Sequence, residues 1–187
     1  MTKRLFDILI AALLGVLLIV PAIIIAALVK FTSKGPAIHW SARVGRNNKI
    51  FQMPKFRSML VSSPEVATHL LNDPDRHITK FGRFIRKTSL DEIPQIWSVL
   101  VGHMSLVGPR PALFNQSDLI QQRTDLGIHL LRPGITGLAQ ISGRDELEIP
   151  DKVDLDSRYM VNNNIYVDIK ILGITAVKII KPRGISH

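Results

Sequence analysis

Between Arg83 and Pro111 the sequence RFIRKTSLDEIPQIWSVLVGHMSLVGPRP sets an adjacent acid pair, Asp91 and Glu92, among cations. Thr88 and Ser89 precede the pair, and Arg83, Arg86 and Lys87 stand just before those. Ser89 to Glu92 has capping-box spacing, with Ser89 accepting from the third amide and Glu92 reaching back. Pro94 suits a helix start one or two residues later, because proline is tolerated only in the first turn. Either start puts Asp91 at the positive end of a helix, which favours an ionised carboxylate. The same end can hold a phosphate. Farther on, GPRP (Gly108–Pro111) stiffens the backbone around Arg110 and presents its guanidinium from a turn. An ionised acid beside phosphate-binding arginines is what attack on a phosphoryl group requires. Taken alone, SLDE is more often plain helix capping with surface ion pairs.

The wider sequence decides between them. TSLDEIPQIW, MSLVGPRP (Met104–Pro111) and RPGITGLAQISGR (Arg132–Arg144) resemble the bacterial sugar transferase family. The likeness extends to KRLFD near the N-terminus, PKFRSM at Pro54–Met59 and LDSRYMVNNNIYVDIKIL near the C-terminus, in order along essentially the whole chain. Members are small monotopic phosphoglycosyl transferases that begin glycan assembly on a polyprenol phosphate. The resemblance implies a UDP-sugar donor, undecaprenyl phosphate as acceptor, a covalent phosphosugar on Asp91 and release of UMP. It further implies Lys55, Arg57, Arg86, Arg110 and Arg144 as phosphate or nucleotide contacts. Glu92 joins Asp91 as a catalytic residue, either to help bind the metal or to activate the acceptor, and the pair is the expected seat of Mg2+, an oxygen-seeking ion that neutralises a diphosphate. Two departures lie nearby: His103 stands where the family commonly has Asp, and Ser98 where it has Asn. His103 is assigned no catalytic role.

Composition agrees with an anionic partner. The 187 residues suffice for one domain with a core, and 24 Lys plus Arg against 15 Asp plus Glu leave a net charge of +9. That excess suits lipid headgroups, nucleotide phosphates or nucleic acid. Aromatics are only 6% and no zinc spacing or RNP-like motif is present, which argues against nucleic acid. The absence of cysteine excludes disulfides and thiol catalysis. A membrane-anchored scaffold is the remaining non-enzymatic alternative, and it gives SLDE, GPRP and PGITG no common purpose. Whether the protein forms a homodimer, and which sugar it carries, are open at this level.

The elements that must position these residues begin with an apolar run. Ile8 to Val29 holds 22 residues without a charge. As a straight helix it would reach roughly 33 Å, enough to cross a bilayer core. Pro21 cannot donate to the carbonyl of Leu17, so a bend is expected there. Lys3 and Arg4 lie before the run and Lys30, Lys34, Arg43 and Arg46 after it, so charge bias is best met with both flanks cytoplasmic. The family resemblance implies the same outcome, a helix that enters one leaflet and returns, although Val20-Pro21 replaces a common Ser-Pro. Residues 1–34 therefore form the expected re-entrant membrane segment, and residues 35–187 a catalytic domain on the cytoplasmic face of the bacterial inner membrane.

Within that domain the expectation is a mainly α-helical α+β fold. Strands are predicted around Ile38–Trp40 and Ile50–Met53 across the turn GRNNK. Helices follow at Ser62–Arg76 (with a connection), at Ile78–Arg86 with Phe81, Phe84 and Ile85 opposite Lys80, Arg83 and Arg86, and at Glu92–Val101 buried through Ile93, Ile96, Trp97 and Leu100. A polar-faced helix is predicted over Ala112–Leu126 and a short continuation to Leu131. ITGLAQISGR should be extended or loop, its glycines leaving room for a ligand. Asp151–Val161 should be helical, setting Asp156 and Tyr159 one turn apart as support for the site. Ile165–Ile180 completes the chain with an apolar helix suited to the interface or to packing against the first.

Overall fold

The computed structural model describes residues 2–64, 73–143 and 147–180. It is mainly helical, with a few short strands. Helix α1 (Thr2–Thr32) runs through Pro21 as one helical element. Among the described residues it is the one helix long and apolar enough to cross a membrane. Its buried residues Asp7, Ala11, Ile25 and Val29 fall on a single stripe of three- and four-residue steps. The first half packs with Phe51, Met53, Ile96, Val99 and Leu106, and the second half with Phe56 and Ile85. Leu9, Leu13, Val16, Leu17, Val20, Ile23 and Ile24 are exposed on the remaining surface. The helix therefore lies lengthwise against the domain.

Polar contacts fasten both of its ends. Lys3 Nζ reaches Asp168 Oδ2 at 2.5 Å and the Val107 carbonyl at 3.3 Å. Arg4 donates to the carbonyls of Val99 and Leu100 at 2.7 and 3.0 Å. These carbonyls end α4 (Gln95–Leu100), so the cation meets the negative end of that helix. Asp7 accepts from Ser105 Oγ at 2.8 Å and from the Leu106 amide at 3.2 Å. At the other end, Arg57 Nη2 donates to both the carbonyl and the hydroxyl of Ser33 at 2.8 Å, and Nη1 to the Pro36 carbonyl.

Strands β1 (Ile38–Val44) and β2 (Ile50–Phe56) form an antiparallel hairpin in which His39 pairs Lys55, Ser41 pairs Met53 and Arg43 pairs Phe51. Cross-strand partners share a face, and here Ser41, Phe51 and Met53 are buried, which carries Lys55 to the inner face at the strand's end. Both strands are longer than the sequence suggested. Helix α2 (Pro74–His77) is the described part of the helix expected over Ser62–Arg76; the stretch before it includes residues outside those described. Helix α3 (Lys80–Lys87) is capped by Thr79, whose hydroxyl accepts from the Gly82 amide at 2.9 Å. Strand β3 (Ser105–Val107) pairs in parallel with β5 (Gly134–Thr136), and β4 (Ala112–Leu113) adds to β1.

Other predicted spans change as well, and the helix expected over Ile78–Arg86 is α3, shifted to Lys80–Lys87. The helix expected over Glu92–Val101 is α4, starting at Gln95, and Trp97 on it is 59% exposed. The one expected over Ala112–Leu126 shortens to α5 (Ser117–Asp125), because Ala112 and Leu113 are spent in β4. Leu138–Ser142, expected to be loop, is helix α6. Helix α7 (Ile149–Asn162) is longer than predicted, and α8 (Ile165–Ile180) has the predicted bounds.

Arg4 is thus a fastening between α1 and α4 and more than a flanking charge. Arg4→Met is expected to cost about 2 kcal/mol, as charged hydrogen bonds of this kind do. That amounts to a fall of roughly 4–8 °C in unfolding temperature in nanodiscs. The exposed Lys34→Met should stay within about 2 °C of wild type. Equal shifts for the two would show that the Arg4 contacts carry no stability.

Candidate active site

Pro94 decides the backbone around the acid pair. A helix begun at Leu90 would place Pro94 past its first turn, where the missing N–H breaks a hydrogen bond. The chain instead makes one 3-10 turn, Leu90–Glu92, and restarts as α4 with Pro94 at its cap. Ser89 sits at φ 57 and makes no side-chain capping bond, so the capping box read from SLDE does not form. Asp91 lies four residues before α4, away from the helix end expected to favour its charge.

Asp91 is 8% exposed. Its neighbour Glu92 accepts from Arg110 Nη2 at 2.9 Å and faces Lys55 Nζ at 3.8 Å. Lys55 arrives from β2 and Arg110 from the turn between β3 and β4. Arg86, in the last turn of α3, adds a third positive charge that acts on Asp91. Three separate elements therefore deliver cations to one 3-10 turn. Burial and the Glu92 charge push the Asp91 carboxyl up to about 6, against the opposing pull of Lys55, Arg86 and Arg110. This overturns the expectation that arginines and a helix end would hold Asp91 low. Burial, with Arg110 and Arg43 nearby, lowers Lys55 to about 8 in spite of Glu92. Both groups are thereby set within reach of neutral pH, as a site that exchanges charge with a ligand requires.

The glycines of GPRP and PGITG serve each other. A Cβ on Gly134 would stand 2.1 Å from the Gly108 nitrogen, and one on Gly137 2.1 Å from the Gly108 oxygen. The Gly108 amide donates to Thr136 and the Gly134 amide to Pro109, both at 2.9 Å. PGITG thus clamps the Arg110 turn backbone to backbone. The room its glycines leave is taken by Gly108 and not by a ligand.

The other predicted residues divide. Tyr159 OH bonds Asp168 Oδ1 at 2.7 Å and the Val107 carbonyl at 3.1 Å, supporting the strand that leads into the turn. Burial, then the Asp168 contact, raises its hydroxyl far above the usual range. Asp156 on α7 pairs with Arg123 on α5 at 2.6 Å. Arg57 does not join the cations of the site: its guanidinium is used on Ser33 and Pro36. The reason is local, since β2 ends at Phe56 and Arg57 turns toward the end of α1. Arg144 lies outside the described residues. His103 packs on Phe51 with the rings tilted at 46° and their centres 5.5 Å apart. Sequence reasoning missed Arg123, Lys3 and Asp168, whose partners are remote along the chain and give no local signal.

Comparison with known proteins places this arrangement. The model of the bacterial sugar transferase family matches residues 1–182. The chain is 42% identical over 199 residues to the undecaprenyl-phosphate galactose phosphotransferase of Salmonella typhimurium, covering 97% of this chain and 41% of that protein. It is 40% identical over 184 residues to the UDP-glucose:undecaprenyl-phosphate glucose-1-phosphate transferase of Escherichia coli, covering 94% and 39%. Against the uncharacterized sugar transferase EpsL of Bacillus subtilis it is 39% identical over 185 residues, covering 99% and 90%. The chain thus spans about two fifths of the longer relatives and most of the shorter one. With its acid pair, Arg110 turn and glycine clamp all inside the matched span, the chain belongs to the bacterial sugar transferase family.

Proposed function

We propose that this protein moves a phosphosugar from a UDP-sugar to undecaprenyl phosphate, with Asp91 as the nucleophile. The observation that carries the reading is a nearly buried carboxylate ringed by cations from three elements. The names of the relatives supply the substrate class. In the first step an Asp91 oxygen attacks the sugar-linked phosphorus of the donor, and the bond to the UMP oxygen breaks. UMP leaves, and an aspartyl phosphosugar is formed. In the second step an oxygen of the lipid phosphate attacks the same phosphorus, and Asp91 departs as the carboxylate. Lys55 and Arg110, now turned to Glu92, balance the diphosphate charge once the donor enters, and Arg86 does so beside Asp91. Burial excludes water that would otherwise hydrolyse the intermediate.

The donor set fits Mg2+. Among the described residues no cluster of three or more His, Asp or Glu is present, but Mg2+ commonly uses one or two carboxylates plus substrate phosphates. Asp91 and Glu92 would hold the ion, which when bound supplies charge neutralisation at the donor diphosphate.

The same reading places the protein on the cytoplasmic face of the inner membrane, with residues 1–34 entering and returning on one side. Its support is that both ends of α1 bind one body, Lys3 and Arg4 to residues of α8 and α4, and Ser33 to Arg57. A helix that crossed would separate those ends.

Asp91→Asn is expected to abolish UMP release from UDP-sugars. Wild type incubated with UDP-sugar alone should gain the mass of a phosphosugar on the Asp91 peptide. Because folding raises the Asp91 pKa, the stability it contributes is full at low pH and lost as pH rises through about 6. At pH 7.5 the Asn variant should therefore be the more stable protein, by up to about 3 kcal/mol. Near-normal turnover by the variant would overturn the assignment.

The pH profile follows from the same two groups. kcat/KM for the UDP-sugar should rise as Asp91 ionises near 6 and fall as Lys55 loses its proton near 8. A flat profile across that range would show that neither group controls donor reaction.

Topology can be read with single cysteines at Thr2 and Lys34 in this cysteine-free chain. Neither should react with a membrane-impermeant thiol reagent in intact spheroplasts, and both should after permeabilisation. Labelling of one position alone before permeabilisation would mean that α1 crosses.

A further inference from the structure

Four backbone groups of the turn that presents Arg110 are hydrogen-bonded to neighbouring elements. The Gly108 amide meets Thr136, the Pro109 carbonyl meets the Gly134 amide, and the Pro111 carbonyl accepts from Arg43 Nη1 at 3.3 Å. The Arg110 carbonyl accepts from Arg123 Nη1 at 2.8 Å. Arg123 comes from α5 and is 9% exposed. Its Nε and Nη2 both donate to Asp156 Oδ2, at 3.0 and 2.6 Å. One planar guanidinium thus bridges α7 to the backbone of Arg110, a geometry that the single ammonium of lysine cannot reproduce.

The bridge answers a local deficit in packing. On this side the turn borders a cleft walled by Val44, Pro111, Ile120, His129 and Leu131, with Arg110 and Arg123 on its lining. A cleft offers no dense packing to hold a peptide group in place. The Arg123 hydrogen bond supplies the restraint there. Arg110 is consequently held at two points, its carbonyl by Arg123 and its guanidinium by Glu92.

We infer that Arg123, oriented by Asp156, is a positioning residue for Arg110 in donor binding and transfer. This rests on the proposed contact between Arg110 and the donor diphosphate. Arg123 touches no substrate in this scheme. Loosening it lets the Arg110 backbone move, and the guanidinium drifts from the place where diphosphate charge develops. The effect falls on the donor half-reaction, in both KM for UDP-sugar and the rate of UMP release.

A purely structural ion pair would behave differently, and the two roles separate in one pair of substitutions. Removing Arg123 alone strands a buried carboxylate and endangers folding, whereas replacing both charges by apolar residues is often neutral for stability. Arg123→Met with Asp156→Leu should therefore unfold near the wild-type temperature. The same double variant should lose about tenfold or more in kcat/KM for UDP-sugar, as small misplacements of a binding group do. In an Arg110→Ala background the two substitutions should change kcat/KM by less than about threefold, because their effect passes through Arg110. Arg123→Lys, which keeps the charge and loses the fork, should show the same background dependence and gives the answer should the apolar pair fail to fold. Wild-type kcat/KM in the apolar pair, or equal losses with and without Arg110, would overturn the inference. Wild-type turnover by Arg110→Ala alone would instead overturn the diphosphate role of Arg110, and the inference with it.

Discussion

Two adjacent carboxylates, one of them nearly buried, repel each other in a medium that screens poorly. The fold meets this demand by bringing Lys55, Arg86 and Arg110 from a hairpin, a helix and a turn. Even so burial wins, and Asp91 holds its proton to about 6. In the proposed reaction an anionic donor entering such a site would take over cations that Glu92 otherwise occupies. On that proposal the ion pair between Arg110 and Glu92 is a resting arrangement, and its strength sets what the donor must displace.

Behind the charges stands a layer made almost wholly of backbone. The parallel pair of β3 and β5, with Gly108 seated against Gly134 and Gly137, allows no side chain between the two strands and their turns. Backbone contact of this closeness is stiff, since no rotamer can yield. Tyr159 and Asp168 then hold β3 from the far side through the Val107 carbonyl. Arg110, proposed to meet the diphosphate, is thus mounted on a strand end fixed from two directions.

What was legible in the sequence was what local pattern controls. The hairpin followed from turn chemistry at GRNNK, α8 from its apolar periodicity, and the acid pair and Arg110 from their setting among cations and prolines. The failures share a cause as well. Ser89 and Glu92 have the right spacing for a capping box, yet Pro94 overrules it three-dimensionally by forcing the 3-10 turn. Lys55 and Arg57 look alike in PKFRSM, but the strand ends between them, and Arg57 finds Ser33 across 24 residues. Arg123 reads as one more surface cation, because Asp156 is 33 residues away. The glycines of PGITG do signal close approach; what approaches is another stretch of backbone.

The fastening of α1 has a consequence for synthesis. Asp7 waits for Ser105, and Lys3 for Asp168, partners 98 and 165 residues farther along. At ordinary ribosomal speed the gap between Lys3 and Asp168 is roughly 10–30 s, far longer than a helix takes to form. Throughout that interval the Lys3 ammonium is without its carboxylate, while Arg4 and Asp7 meet their partners near residue 100 sooner. The fastening of this end of α1 is therefore completed in two stages, the first with β3 and α4 and the second only with α8. Where this end of the helix finally rests is in this sense decided late.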